Sequence, residues 1–437
     1  MSDYILNTVK AHKSGKTVGI FSVCSANKYV LEASMLHAKQ NDSCVLIEAT
    51  SNQVDQFGGY TGMNPADFKN YVKKIADSVN YPFDNIVLGG DHLGPNVWQN
   101  ENSESAMKKA KDQIREYVSA GFTKIHLDTS MKCADDKVDE NHMLAPEIVT
   151  ERAAILCKVA EEASAKTKSI SGKPVYVIGT DVPIPGGALE NLENIRITPV
   201  NEIEETITLT KNFFENYGLD DAWQRTIAVV VQPGVEFSDS IIANYKPEKA
   251  AAIVNKINDY NNIIYEAHST DFQTKFALRR LVEDHFGILK VGPWLTFAFR
   301  EAVFALAEIE KEMSLFNDKI MPSHIYEVLN SVMDKNPKYW NKHYKGNKNE
   351  IAFAQKYSFS DRIRYYWSSK TVDDSLNLLI QNLTENTIPL NLLSQYMPQE
   401  CDAVMEGRID KKPKSLIHHK IMSVLDKYSY AVKGEDQ

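Results

Sequence analysis

An acidic residue stands directly beside a histidine in the segment GGDHLGP, residues 89–95. Imidazole is a common ligand of divalent metals, and a neighbouring carboxylate can act as a general base. We therefore interpret His92 as a metal ligand and Asp91 as the base. The alternative is a loop carboxylate that caps the next helix, with the histidine packed beneath it.

Two further histidines are candidate ligands of the same metal. His268 lies in the segment EAHSTD, residues 266–271, and His126 lies in HLD, residues 126–128. Imidazole-rich ligation favours zinc, with manganese, cobalt and nickel as alternatives. For His126, the alternative is a histidine packed in the inner layers of the fold. Asp181 and Glu48 are further candidate catalytic carboxylates, and either could complete the metal site.

Three segments could hold a phosphate group. The glycine-rich loop at residues 56–63, which includes Gly59, could offer backbone N–H groups to an anion. Lys290 and Gly292 stand where a strand ends and a helix begins, and Arg362 and Arg364 lie in the segment SDRIRYYW. The alternatives are a tight turn for the loop and a solvated or packed pair of arginines.

These residues need a scaffold, and the apolar pattern predicts one. Near-continuous apolar runs, typical of strands covered on both faces, occur at residues 17–23, 43–49, 85–90, 123–128, 175–180, 226–232, 262–267 and 286–291. Segments with helical periodicity alternate with them, at residues 27–40, 65–79, 103–120, 145–165, 201–217, 247–260, 272–284 and 294–311. Eightfold strand–helix alternation predicts an α/β protein with a (β/α)8 TIM barrel.

A doubly wound sheet is the alternative fold. It usually shows a glycine-rich dinucleotide turn after an early strand, but the first strand is followed by CSAN, residues 24–27. We therefore expect no nicotinamide cofactor. Residues 316–437 contain helical stretches without a strand series, so we predict a barrel over 1–315 and a helical C-terminal cap over 316–437.

Barrel enzymes place their reactive groups at the carboxyl ends of the strands. Polar residues cluster at these predicted positions, which indicates a ligand site rather than simple loop solvation. The candidate substrate-binding residues are Ser25, Asn27, Asn52, Gln53, Gly59, Asp128, Gln232, Lys290, Gly292, Arg362 and Arg364.

Composition narrows the class of partner. The 437 residues carry 49 Lys+Arg and 58 Asp+Glu, a net charge of −9, which argues against nucleic acid or an anionic membrane as a partner. No apolar run approaches the ~20 residues of a membrane helix, and the first residues lack the features of a secretory signal. Five scattered cysteines favour reduced thiols, and we expect a cytoplasmic protein.

Eight motifs, taken together, resemble the GatZ/KbaZ family, and they run in consistent order across nearly the whole chain. They are CSAN (24–27), IEATSNQV (47–54), GGYTGM (58–63), GGDHLGPN (89–96), KIHLDTSM (124–131), GTDVPIPGG (179–187), EAHSTD (266–271) and SDRIRYYW (360–367). The resemblance implies a Z-type subunit of class II D-tagatose-1,6-bisphosphate aldolase, which supports a separate Y-type catalytic subunit. Relatives treated as 4-epimerases act on tagatose and fructose or their 6-phosphates. The pair Asp91-His92 is similar to the acid/base and zinc ligand of class II aldolases. The later ligand histidine of that class has no counterpart, and Asp181 stands near its expected place.

The chemistry of C4 inversion supports a metal. C4 of a 2-ketohexose is not acidified by the carbonyl, so inversion requires either oxidation or retro-aldol cleavage between C3 and C4. The cleavage step serves both an aldolase and a 4-epimerase, and a divalent metal would stabilise the resulting enediolate. We therefore expect a ketose or ketose phosphate as substrate, with a Y-type subunit or a second copy of the chain as candidate partners. The hypothesis from a different class is a non-catalytic stabilising subunit.

Overall fold

The chain folds as a closed eight-stranded parallel barrel with a helical C-terminal part, which confirms the predicted fold class. The computed structural model describes residues 2–139, 143–167, 172–180, 182, 192 and 195–434. The first barrel strand pairs with the last and thereby closes the barrel. The barrel strands are β1 (Ile20–Val23), β2 (Val45–Thr50), β3 (Ile86–Leu93), β4 (Lys124–Leu127), β5 (Val175–Ile178), β6 (Thr226–Val230), β9 (Ile264–Ala267) and β10 (Ile288–Val291), while β7 (Glu236–Phe237) and β8 (Ile242–Ala243) form a separate antiparallel hairpin.

Helices connect the strands and dominate the C-terminal part. From the first barrel strand to the last, they are α2 (Lys28–Gln40), α3 (Pro65–Ser78), α4 (Ser103–Ala120), α5 (Pro146–Thr167), α6 (Val200–Asn216), α7 (Asp220–Gln224), α8 (Pro247–Lys256) and α9 (Lys275–Glu283). After the last strand come α10 (Pro293–Ser314), α11 (Ile325–Lys335), α12 (Lys348–Tyr357), α13 (Lys370–Glu385), α14 (Leu390–Tyr396), α15 (Pro398–Met405) and α16 (Pro413–Val432). Within the described residues, none of the helices has both the length and the apolar character needed to cross a bilayer.

The N-terminal helix α1 (Ser2–Lys13) closes the lower end of the barrel, and the apolar pattern did not predict it. Its Ile5 and Val9 are buried in one cluster with floor residues of the barrel such as Ile20 and Ile264. Only one narrow face of this short helix is apolar, so its periodicity is a weak signal. Burial of that face against the barrel floor stabilises the helix.

The barrel interior changes from apolar to charged along the strands. Side chains two positions apart in a strand share a face. Ile264 in the floor is therefore followed by inward-facing Glu266, and Ile288 is followed by Lys290. Glu48, two positions after floor residue Leu46, is also fully buried. The upper half of the barrel thus carries charges that water cannot solvate.

The last helix, α16, packs on the barrel rather than on the other C-terminal helices alone. It contacts α9, α2 and β1, so it lies between α9 and α2 in the outer layer of helices around the barrel. The Tyr428 hydroxyl donates to the Thr270 carbonyl oxygen at 2.9 Å, and the Gly19 N–H donates to the Val432 carbonyl oxygen at 3.0 Å. Residues distant in sequence therefore complete the outer layer of the barrel.

This packing predicts that α16 is needed for the stability of the barrel. Leu425 on α16 is fully buried, so Leu425→Ala should lower the free energy of unfolding by about 2–5 kcal/mol. Leu390→Ala is the matched control, because Leu390 is 42% exposed, and it should change that free energy by less than about 0.5 kcal/mol. Urea unfolding followed by circular dichroism measures both. Equal small effects would contradict a structural role for α16.

Candidate active site

Three histidines meet at the upper end of the barrel. His92 comes from β3, His126 from β4, and His268 directly follows β9. Their ring centroids lie 5.2 Å apart for His92 and His126, 4.9 Å for His92 and His268, and 5.2 Å for His126 and His268. All three are buried. The three histidines predicted as metal ligands therefore form one cluster.

A bulge in β3 turns His92 toward this cluster. The register against β4 shifts between Gly90 and Leu93, and His92 adopts a left-handed backbone with φ 50°. Bulges at barrel rims commonly redirect a side chain in this way. β3 is longer than the predicted strand, so that Asp91 and His92 lie within it.

Each histidine has one ring nitrogen against a carboxylate. His92 Nδ1 lies 2.8 Å from Asp128 Oδ2, and His126 Nδ1 lies 2.9 Å from Asp91 Oδ1. The third contact joins His268 Nε2 to Glu266 Oε1 at 3.0 Å. In metal sites, such a carboxylate fixes the proton on one nitrogen and leaves the other as a ligand.

The donor set fits a divalent metal ion. Asp91, His126, Glu266 and His268 each offer one ligand atom, and these atoms lie within 4.8 Å of one another. His92, also a predicted ligand, is not a member of this group. The His92 backbone N–H donates to His126 Nδ1 at 3.2 Å, and His126 Nε2 is buried with no hydrogen-bond partner in the described part of the chain. Burial lowers the pKa of His268 to about 4, although Glu266 opposes the shift. A neutral imidazole is the form that binds metals.

Asp91 is held ionised beside the histidines. Its burial raises the pKa, but His92, Lys290 and His126 more than offset this and hold the pKa well below its usual value. Lys290 Nζ lies 3.0 Å from Asp91 Oδ1. Burial lowers the pKa of His92, whereas Asp91 and Asp128 raise it above the ordinary value. Asp91 is therefore present as the carboxylate, the form that a general base requires, although its low pKa makes it a weak base.

A cavity of about 450 Å³ opens above this cluster. It is bounded by the upper strand ends and by the C-terminal segment around Tyr365 and Trp367. Of the residues predicted for the site, the cavity is lined by Ser25, Asn27, Asn52, Gln53, Asp91, His92, His268, Lys290, Gly292 and Arg364.

Other predicted substrate contacts lie away from the cavity wall. Asp128 is fully buried behind His92. Gln232 accepts from the backbone N–H groups of Gly234 at 2.8 Å and Val235 at 3.1 Å, so it shapes a turn. Gly59 has φ +54°, and a Cβ there would lie 2.4 Å from the Gln53 carbonyl oxygen. These residues support the site and do not line it.

Two more predicted residues, Glu48 and Lys290, are engaged with each other. Glu48 is fully buried below the cavity, where Lys290 Nζ lies 2.5 Å from its Oε2. Glu48 is not among the residues that line the cavity, and its predicted catalytic role stays a prediction. The ammonium of Lys290 is paired with carboxylates and is not free for a phosphate. Asp181 lies outside the described residues.

The N-terminus of α10, another predicted phosphate site, is taken by a carboxylate of the protein. Asp271 accepts from the N–H groups of Gly292 at 3.0 Å and Trp294 at 2.8 Å. Burial raises the pKa of Asp271 to about 6, although these two N–H groups lower it. The backbone of Gly292 is therefore already satisfied without an external anion.

Of the two predicted arginines, Arg364 faces the cavity and Arg362 faces away. Arg364 donates to the Tyr365 hydroxyl at 2.9 Å and to the Asp361 carbonyl oxygen at 3.0 Å. Within the described residues it has no carboxylate at ion-pair distance, which leaves its positive charge for a ligand in the cavity. Arg362 Nη2 lies 2.9 Å from His343 Nδ1, behind the cavity wall.

A family profile for GatZ/KbaZ-like D-tagatose-1,6-bisphosphate aldolase subunits matches residues 5–433. The chain belongs to this family. A crystal structure of a probable tagatose 6 phosphate kinase from Sinorhizobium meliloti 1021 is 39% identical, over 95% of this chain and 100% of that chain, with a TM-score of 0.85. The GatZ/KbaZ-like fold is therefore shared over essentially the full length of both proteins.

Two more distant structures are similar to this GatZ/KbaZ-like chain. The fructuronate-tagaturonate epimerase UxaE from Cohnella laeviribosi is 13% identical over 95% of this chain and 82% of that chain, with a TM-score of 0.47. The YdjI aldolase from Escherichia coli K12 is 10% identical over 86% and 96%, with a TM-score of 0.41. Similarity at this level supports no argument about chemistry.

Sequence reasoning did not assign a role to several groups at this GatZ/KbaZ-like site. They are the Cys24 thiol, 3.9 Å from Asp91 Oδ2, the buried pair Lys124 and Glu266, and Tyr60, which packs on Tyr365. A lysine or glutamate inside an otherwise apolar strand is a usable signal, because such a charge requires a buried partner. The aromatic pair gives no local signal, since it joins a barrel loop to the C-terminal part.

Glu236 beside the cavity predicts a pH-dependent stability. Burial raises its pKa from 4.5 to about 7, with the Phe237 N–H opposing the shift. Because the folded pKa is raised, this carboxyl destabilises the fold progressively as pH rises from about 4.5 to 7. Glu236→Gln should therefore raise the free energy of unfolding at pH 8 by up to roughly 3 kcal/mol and change it little at pH 4. Denaturation across this pH range measures the effect, and a pH-independent difference would contradict it.

Proposed function

We propose that this chain is a metal-dependent ketohexose phosphate 4-epimerase that uses aldol chemistry at C3–C4. The observation that carries the proposal is the cluster of three histidines, each backed by a carboxylate, beside ionised Asp91 at a cavity. Membership of the GatZ/KbaZ-like family supports ketose phosphate chemistry.

The proposed reaction begins with proton transfer from the C4 hydroxyl to Asp91. The C3–C4 bond then breaks, leaving a C4 aldehyde and the electron pair on a three-carbon enediolate. The aldehyde rotates, C3 adds to its other face, and Asp91 returns the proton to the C4 alkoxide, which becomes the new hydroxyl. A divalent cation held beside Asp91 by His126 and His268 would supply positive charge that stabilises the enediolate.

Arg364 supports a substrate with one phosphate. Its side chain lines the cavity and is the candidate phosphate contact, because Lys290 is paired with Glu48 and Asp91. Lys28 also lines the cavity, but its ammonium lies 4.0 Å from a Glu32 carboxylate oxygen. Among the described residues, Arg364 is the single cavity cation without a carboxylate partner, which favours a ketose 6-phosphate over a bisphosphate. Zinc is the metal we expect, and the Y-type subunit and a second copy of the chain remain candidate partners.

The metal-loaded chain, purified alone, should interconvert tagatose 6-phosphate and fructose 6-phosphate. Asp91→Asn should lower the rate by about 10²–10⁴-fold, because it removes the proton acceptor. Asp318→Asn, at an exposed surface position, is the control and should leave the rate unchanged. Product from neither 6-phosphate nor from tagatose 1,6-bisphosphate, with metal shown to be bound, would instead support a non-catalytic subunit that stabilises a Y-type aldolase.

The phosphate contact gives a separate prediction. Arg364→Met should raise KM for the 6-phosphate by about 10–100-fold, the value of a lost charge-assisted hydrogen bond, and leave turnover of unphosphorylated tagatose unchanged. Arg408→Met is the control, because Arg408 is exposed and pairs with Glu406. Steady-state kinetics with the 6-phosphate and with unphosphorylated tagatose gives KM and turnover for each sugar, in the variant and in the wild type. An equal loss for both would place the phosphate elsewhere.

A further inference from the structure

Lys124 is a fully buried lysine below the cavity, on β4 two positions before His126. Its Nζ lies 2.7 Å from Glu48 Oε1 and 2.7 Å from Glu266 Oε2. A buried ammonium is costly unless it is paired, and this one bridges two carboxylates that would otherwise repel each other. No predicted function includes it.

Each of these carboxylates turns its other oxygen toward a group at the cavity. Glu48 Oε2 lies 2.5 Å from Lys290 Nζ, and Glu266 Oε1 lies 3.0 Å from His268 Nε2. Two short chains of contacts therefore run from Lys124. One passes through Glu48 to Lys290, and the other passes through Glu266 to His268, a candidate metal ligand.

The barrel makes room for this arrangement. A Cβ at Gly89 would lie 2.7 Å from Glu48 Cγ and 3.3 Å from Lys124 Cβ. Glycine on β3 thus lets the Glu48 side chain cross toward Lys124. The first glycine of the segment GGDHLGP, Gly89, therefore serves the packing of the charged side chains below the site.

We infer that Lys124 is a positioning residue, whose ammonium fixes Glu48 and Glu266 and through them holds Lys290 and the ring of His268 in place at the cavity. This inference rests on the proposed function, because it assigns His268 to the metal. In this role Glu266 accepts a hydrogen bond from His268 Nε2 and leaves Nδ1 as the ligand atom, so Glu266 stands behind the ligand and does not itself bind the metal. Such a carboxylate behind a ligand is worth about 10–100-fold in metal affinity.

Binding of Co²⁺ to the purified chain tests this role without an activity assay. Lys124→Met should weaken Co²⁺ binding by about 10–100-fold, measured by visible absorption with a competing chelator. A pure charge effect has the opposite sign, because removing an ammonium from this site would tighten cation binding. Ile20→Ala, in the barrel floor, is the control for lost stability and should leave Co²⁺ affinity unchanged.

The double variant Lys124→Met/Glu48→Gln separates positioning from stability, because it keeps Glu266 behind His268. It leaves the net charge of the site as in the wild type, so it should recover the Tm lost in Lys124→Met and still bind Co²⁺ about 10–100-fold more weakly. It also carries the test if the single variant does not fold. Wild-type affinity in either variant, or tighter binding, would overturn the inference. No Co²⁺ binding by the wild-type chain would overturn the metal-dependent function itself, and this inference with it.

Discussion

Charge that cannot reach water is the constraint on which this site depends. Lys124, Glu48 and Glu266 lie inside the barrel with no exposed surface, and Lys290 lies just above them. Removing such groups from water costs several kcal/mol each unless oppositely charged partners compensate. Their side chains therefore have few arrangements available. The buried charges in turn fix the positions of Lys290 and His268, which reach the cavity. The geometry of the candidate site is therefore set before any ligand binds.

The same constraint gives the histidine cluster its form. A histidine buried without a partner becomes neutral and loses its orientation, whereas each histidine here is held by a carboxylate. Asp91 serves His126 with one oxygen and faces His92 and Cys24 with the other. The bulge in β3 makes this geometry accessible, because a regular strand would direct two successive side chains to opposite sides of the sheet.

The C-terminal part contributes to both the barrel and the site. α16 completes the outer ring, and the segment that carries Arg364 and Tyr365 covers the cavity. That segment is fixed at its start, since Ser358 donates to Asp239 at 2.7 Å and Asp361 pairs with Arg300 at 3.3 Å. A helical addition to the barrel thus supplies the one cavity cation without a carboxylate partner in the described chain.

The amino-acid sequence by itself determined the strand–helix alternation, the barrel, and the cluster of polar residues at strand ends, because periodicity and strand termini are local properties. It also identified Asp91 and the three histidines as candidates. Only the tertiary structure decided that Asp128 stands behind His92 and that Glu48 lies below Lys290. Such pairings depend on strand register, the β3 bulge and barrel closure, which join residues far apart in the chain.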